Sequence, residues 1–249
     1  MTGLTNNWKK NKRQIEMTIV HLNRFQIRAV RKDTKISELS LDNIFSKVIL
    51  PLWVSLLEVE FNILISENVH FTKDFTTKHQ ISEENLIDKW LLLNEFFFKN
   101  KYLRRQDKEL NALNLGMTTY SRYKTIVTII DEDLRPFIEL RNKLSHGQWA
   151  VAMNVIGSNK NQKLTTKIWK LSKKEIMLIK SLVVNLPCLM KFLITSKMTF
   201  EREYDKYIYK LLKAKNDADL KFEWLRKKET SKTKDISKKD KKARTGSGL

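Results

Sequence analysis

An all-α fold is expected, on three observations. The 249-residue chain holds only three prolines and six glycines, too few breakers for many short strands joined by tight turns. Apolar residues make up 41% of it. They recur mostly at spacings of three and four, the period of a helix with one buried face. That length and apolar content suffice for one sizeable core or two small ones.

The elements follow in order. Residues 14–31 predict a basic amphipathic helix, with Ile15, Ile19, Leu22, Gln26 and Val30 near one face and Arg24, Arg28 and Arg31 around them; packing on the domain is favoured over a membrane surface. Residues 41–66 are strongly apolar. Pro51 suits a helix's first turn, so a break or kink near Leu50 and a core helix over about 51–66 are expected. On a helical wheel with Trp53 at zero, Leu56, Leu57 and Leu64 fall within about 60°. So does Glu60, while Glu58 lies near the opposite flank. A carboxylate aimed into a core costs on the order of several kcal/mol unless it is paired or hydrogen-bonded. Glu60 therefore needs a partner, or must reach out to solvent.

Residues 67–81 read as a loop. Ser82 is expected to cap a helix over 83–99, with Glu83 and Glu84 at its positive end and a stripe of Leu86, Ile87, Trp90, Leu93, Asn94 and Phe97. Trp90, Phe96, Phe97 and Phe98 are assigned to the core. A short helix near 106–114 stops before Gly116. Thr118 or Thr119 caps the next, in which Tyr120, Tyr123, Ile126, Val127 and Ile130 recur at helical spacing. A helix over about 133–146 ends at Gly147, which fits the left-handed position beyond a C-terminus. After it, "QWAVAMNVI" and "LTTKIWKL" are β-prone and flank "GSNKNQK", predicting a small β-hairpin or an extended loop within 148–171. A long helical region over about 172–214 carries Pro187 as its expected kink and a seam from Ile176 to Phe192. From about 225 the chain is rich in Lys, Thr and Ser and is expected to be a disordered tail. One folded domain over 1–224, with its core at about 40–195, precedes it.

The net charge is +20, which attracts polyanions, nucleic acid first. Residues 226–244 hold ten basic and three acidic residues, a net of +7. The rest of the chain still carries +13. The single cysteine, Cys188, permits no internal disulfide and no cysteine-based metal site; a buried, inert thiol is expected. His21, His70 and His79 are scattered without carboxylates at metal-ligand spacing, so no metal is expected. There is no Gly-rich phosphate loop and no G-x-S-x-G elbow, and no cofactor is expected. The N-terminus lacks the apolar region of a signal peptide, and no uncharged run reaches about 18 residues. A soluble, cytoplasmic protein with no membrane span is the expectation.

One stretch carries chemistry: "LRPFIELRNKLSHGQWAV", residues 134–151. With Phe137 at zero, Leu140 and Leu144 set the apolar face, and Arg141 falls at about 40°, on its margin. Ser145, Asn142 and His146 follow at about 80°, 140° and 180°. His146 thus points away from the buried face. It stands in the last turn, whose unpaired carbonyls favour an imidazolium, and histidine shuttles protons near neutral pH. Arg141 offers a fixed fork of donors suited to phosphate. Asn142 can hold the ring or touch the phosphate. A phosphate clamp beside a proton shuttle is what phosphodiester cleavage requires.

"RNKLSHG" resembles the signature of the HEPN superfamily, an arginine followed by a polar residue and, four to six positions on, a histidine at a helix end. The resemblance implies a helical bundle that dimerises. Two signature helices would meet across the dimer to form a ribonuclease site that works without a metal ion. The 2′-OH attacks the adjacent phosphate, leaving a cyclic phosphate and a 5′-OH. Arg141, Asn142 and His146 are carried across as catalytic residues, with Ser145 in support. An acidic residue on an earlier helix is implied to orient the arginine: Glu60, or alternatively Glu58. Lys143 and Trp149 are candidates for RNA contact; for Trp149 packing is the favoured reading over stacking on a base. Toxin, abortive-infection and antiviral-defence systems use such sites, which implies RNA, tRNA included, as substrate. A second copy and an antitoxin or sensor protein are the implied partners. The alternative is a non-catalytic HEPN-like module that holds RNA or a partner protein.

Overall fold

The computed structural model describes residues 3–32, 38–68, 84–103, 108–154 and 156–216. The expected loop beyond residue 68, the Ser82 cap, His70, His79 and the basic tail lie outside them. The described residues are about 85% helical and contain no strand, so the fold is all-α.

α1 (Gly3–Lys32) extends well beyond the predicted 14–31. α2 (Glu38–Glu67) runs unbroken through Pro51. The expected break near Leu50 is not there. Pro51 withholds one N–H from the helix ladder, but Leu50, Val54 and Leu57 around it are fully buried, and packing holds the helix across the gap. α3 (Leu86–Tyr102) begins later than predicted because Asn85 caps it, accepting from the Ile87 and Asp88 amides. Its Trp90, Phe96, Phe97 and Phe98 are buried, as expected of core residues.

Of the helix predicted near 106–114, only the turn α4 (Ala112–Leu115) forms among the described residues. α5 (Met117–Thr128) starts directly after Gly116 with no side-chain cap, in place of the predicted Thr118 or Thr119. It does not stop before the signature helix. A π-helical turn, Ile129–Leu134, joins it to α6 (Arg135–Ser145). The Arg135 amide donates to the Ile130 carbonyl, five residues back. Pro136 follows, and it can neither donate nor fit closely over the preceding turn; the wider π turn absorbs both.

The predicted hairpin is corrected. Residues 148–161 make one isolated antiparallel bridge, Met153 to Lys160, and "LTTKIWKL" lies almost wholly in α7 (Gln162–Lys170). Asn161 caps that helix by accepting from the Leu164 amide. Leu164 and Ile168, four apart, then bury together. Helical burial overrode the β preference of Thr165, Thr166 and Ile168.

α8 (Lys173–Thr195) opens on a capping box between Ser172 and Glu175. Pro187 sits inside it without ending it. The predicted 172–214 region is divided at Ser196 instead, and α9 occupies 197–216. α2 is the central element. It packs on α1, α6 and α8, and the buried apolar side chains of all these helices form one cluster. α9 closes it through Phe200, which meets Phe98 edge-on.

Leu41–Glu67 and Lys173–Thr195 are both long and apolar enough to span a bilayer. About half of each is buried inside the bundle, which is what the core helices of a helical domain require.

Candidate functional site

The site begins with how α6 ends. Gly147 has φ 75°, the left-handed conformation predicted for it. Three of the helix's last four carbonyls, those of Asn142, Lys143 and Leu144, are taken. The His146 amide donates to Asn142 and Gly147 to Leu144. Gln148 donates to the Lys143 carbonyl at 2.9 Å. The Trp149 indole Nε1 donates to the Leu144 carbonyl at 3.0 Å. Trp149 is thus a cap on the signature helix, with its ring still 42% exposed.

This closed end fixes what the helix shows. Asn142, Ser145 and His146 are exposed, on the side the wheel assigned to them. Lys143 is not among the outward groups. Its Nζ donates to the Met153 carbonyl at 2.7 Å and ties the following loop to the helix.

Arg141 is half-buried at the contact with α2. Its Nη2 lies 3.6 Å from Glu58 Oε2, a charge contact longer than a hydrogen bond. Its Nε is buried and has no hydrogen-bond partner. Glu58 is about half exposed. Such a pair stabilises the fold by under about 1 kcal/mol. The guanidinium is therefore steered by Glu58 but not used up by it.

The first choice for that steering role, Glu60, is corrected. Glu60 pairs with Lys12 of α1 at 2.6 Å. Lys12 is held above the ordinary lysine range: burial pulls it down, and the hydrogen bond and charge of Glu60, with Glu16, more than offset that. The wheel rightly gave Glu60 a need for a partner. It placed that partner on the wrong neighbour, because α2 is flanked by several helices and α1 covers the Glu60 side.

Cys188 is also corrected. It is half-buried and lines a cavity of about 450 Å³ between α1, α2 and α8. Among the described residues, no three His, Cys, Asp or Glu side chains cluster as a metal site would need.

The cationic helix next door was not predicted as a site. α7 presents Lys163, Lys167 and Lys170, and these border a cavity of about 710 Å³ floored by Pro136, Phe137 and Leu140 of α6. The signal was in the sequence, as lysines spaced four and three apart. The β-branched Thr165, Thr166 and Ile168 mask it by favouring a strand period over a helical one. Comparison with protein-family models, curated proteins and solved structures finds no match.

Proposed function

We propose that this protein is a metal-independent endoribonuclease of the HEPN type, with its active site completed by a second copy. The observation that carries this is the placement of Arg141 and His146. Arg141 is steered by Glu58 at the α2–α6 contact, with an unpartnered Nε. His146 is exposed at the end of the same helix. The two lie five residues apart, so they diverge by about 140° around the axis. One phosphate cannot readily meet both in one copy. Two α6 helices brought together supply each side chain from the other direction.

In the reaction, a ribose 2′-oxygen forms a bond to the adjacent phosphorus, and the bond from phosphorus to the 5′-oxygen breaks. The products are a 2′,3′-cyclic phosphate and a 5′-hydroxyl. His146 moves a proton, from the 2′-OH or onto the departing 5′-oxygen. Arg141 stabilises the charge on the non-bridging oxygens, and Asn142 orients the ring or the phosphate. Ser145, on the same exposed turn, supports them. Cellular RNA is the substrate class, tRNA included, and the setting is a cytoplasmic toxin or antiviral-defence system with an antitoxin or sensor as partner.

The test is incubation of purified protein with RNA in the presence of EDTA. Wild type is expected to cut, and His146→Ala and Arg141→Ala are expected not to. Intact RNA with wild type, or equal cutting by both variants, contradicts the proposal. Salt-sensitive RNA retention without cutting would instead mark a binding module. A mass measurement in solution should show a dimer.

A further inference from the structure

Charge is unevenly spread along the chain. From Leu140 to Lys174 there are eight Lys and Arg residues and no Asp or Glu. This one stretch therefore carries +8 of the +13 that lies outside the tail. It holds the end of α6, the loop after it, and all of α7.

α7 sorts that charge onto one face. Leu164, Thr165 and Ile168 are buried. Lys163, Lys167 and Lys170 fall within about 60° of one another on the opposite side, with neighbours on such a row about 5–6 Å apart. Among the described residues none of the three has an ion-pair or hydrogen-bond partner. Glu175 lines the same cavity, and its carboxylate accepts from the Ser172 amide and hydroxyl. Trp169 lies about 100° round the helix from Lys170 and is 63% exposed. Its Nε1 donates to the Ala150 carbonyl at 2.8 Å, four residues beyond His146. Lys47 lies 5.6 Å from the centre of its ring.

We propose that the lysine face of α7, together with Trp169, is the track along which an RNA strand is held as it approaches the His146 end of α6. This rests on the ribonuclease reading above. Three unpaired ammonium groups in a row match a run of phosphates. An exposed indole offers a face on which a base stacks, which an acidic peptide would leave unused. The indole's bond to Ala150 fixes the row relative to the signature helix.

The experiment measures binding of a fluorescent oligouridylate in the His146→Ala background, so that the probe stays whole, over a series of salt concentrations. Lys163→Gln, Lys167→Gln and Lys170→Gln combined should lower the slope of log affinity against log salt by about 2, three single-strand phosphate contacts being lost. Lys10→Gln, Arg13→Gln and Lys213→Gln combined removes the same charge elsewhere and should leave most of that slope. Equal losses in the two triple variants, an unchanged slope in the first, or no binding by the parent would overturn the track. So would equal, α7-dependent binding of polyglutamate. If wild type cuts RNA but the α7 variant keeps its slope, the track alone falls. If the α7 variant loses its slope but wild type cuts nothing, the ribonuclease reading falls and the track stands.

Discussion

Glu58 and Glu60 stand two residues apart on α2 and serve different neighbours. Glu60 turns to α1, where it meets Lys12 at 2.6 Å and is 18% exposed. Glu58 turns to α6, where it faces Arg141 at 3.6 Å and is 49% exposed. The first is a short, shielded pair that joins two helices. The second is long and wet, and contributes little to stability. A weak pair beside a buried, unpartnered guanidinium nitrogen has the character of a site rather than of a joint. The difference separates what holds the bundle from what the bundle holds out.

That comparison can be broken most severely at the outer side. His146→Ala should lower RNA cleavage about 100-fold or more, the usual range for a lost proton shuttle. Arg141→Ala should cost about 100-fold, as loss of a charge-stabilising donor does. Neither should shift the melting temperature appreciably. A fall of many degrees with either variant would move that residue to the structural side.

Glu58→Gln should lower cleavage by roughly tenfold, since it only mis-sets Arg141, and should leave stability within about 0.5 kcal/mol. Glu60→Gln should do the reverse. It should cost about 1 kcal/mol of stability, between an exposed and a buried pair, and leave cleavage of the folded protein unchanged. In a chain of this size that is a fall of roughly 2–4 °C in Tm. Circular dichroism melts and a single-turnover cleavage assay read the two effects separately.

The smallest effect is in pH dependence. Lys12 has a raised folded-state pKa. Its contribution is therefore fully present below the ordinary value of 10.5 and is lost as pH rises through the folded value. Tyr102 and Tyr123 are also raised, chiefly by burial, Tyr123 to about 12. They add their own loss above pH 10 in every variant. The difference between wild type and Glu60→Gln isolates Lys12: it should be steady at neutral pH and shrink above about 10.5. A difference that grew with alkalinity would contradict the pairing.

Much of the fold was legible because it rests on period and capping. Trp90, Leu93 and Phe97 recur at helical spacing and are buried. Gly147 announced the end of α6. What the sequence misjudged were places where tertiary packing outweighs a local signal. Pro51 read as a break but lies inside a helix whose neighbours Leu50, Val54 and Leu57 are buried. The β-branched residues of "LTTKIWKL" read as a strand, but an Asn161 cap and a buried Leu164–Ile168 pair make a helix. At the site, the outward set of Asn142, Ser145 and His146 followed from one wheel. Arg141's partner did not, because choosing between Glu58 and Glu60 requires knowing which helix covers which side of α2. The carbonyl partners of Lys143 and Trp149 were not legible, because no side-chain pattern reveals a backbone contact.

Arg141 and His146 are proposed to cut RNA through its own 2′-oxygen. The most direct test is the chemistry of the ends left by wild type in EDTA. A 2′,3′-cyclic phosphate with a 5′-hydroxyl is the predicted result, absent with His146→Ala. A 3′-hydroxyl with a 5′-phosphate, or the same ends made equally well by His146→Ala, would contradict it.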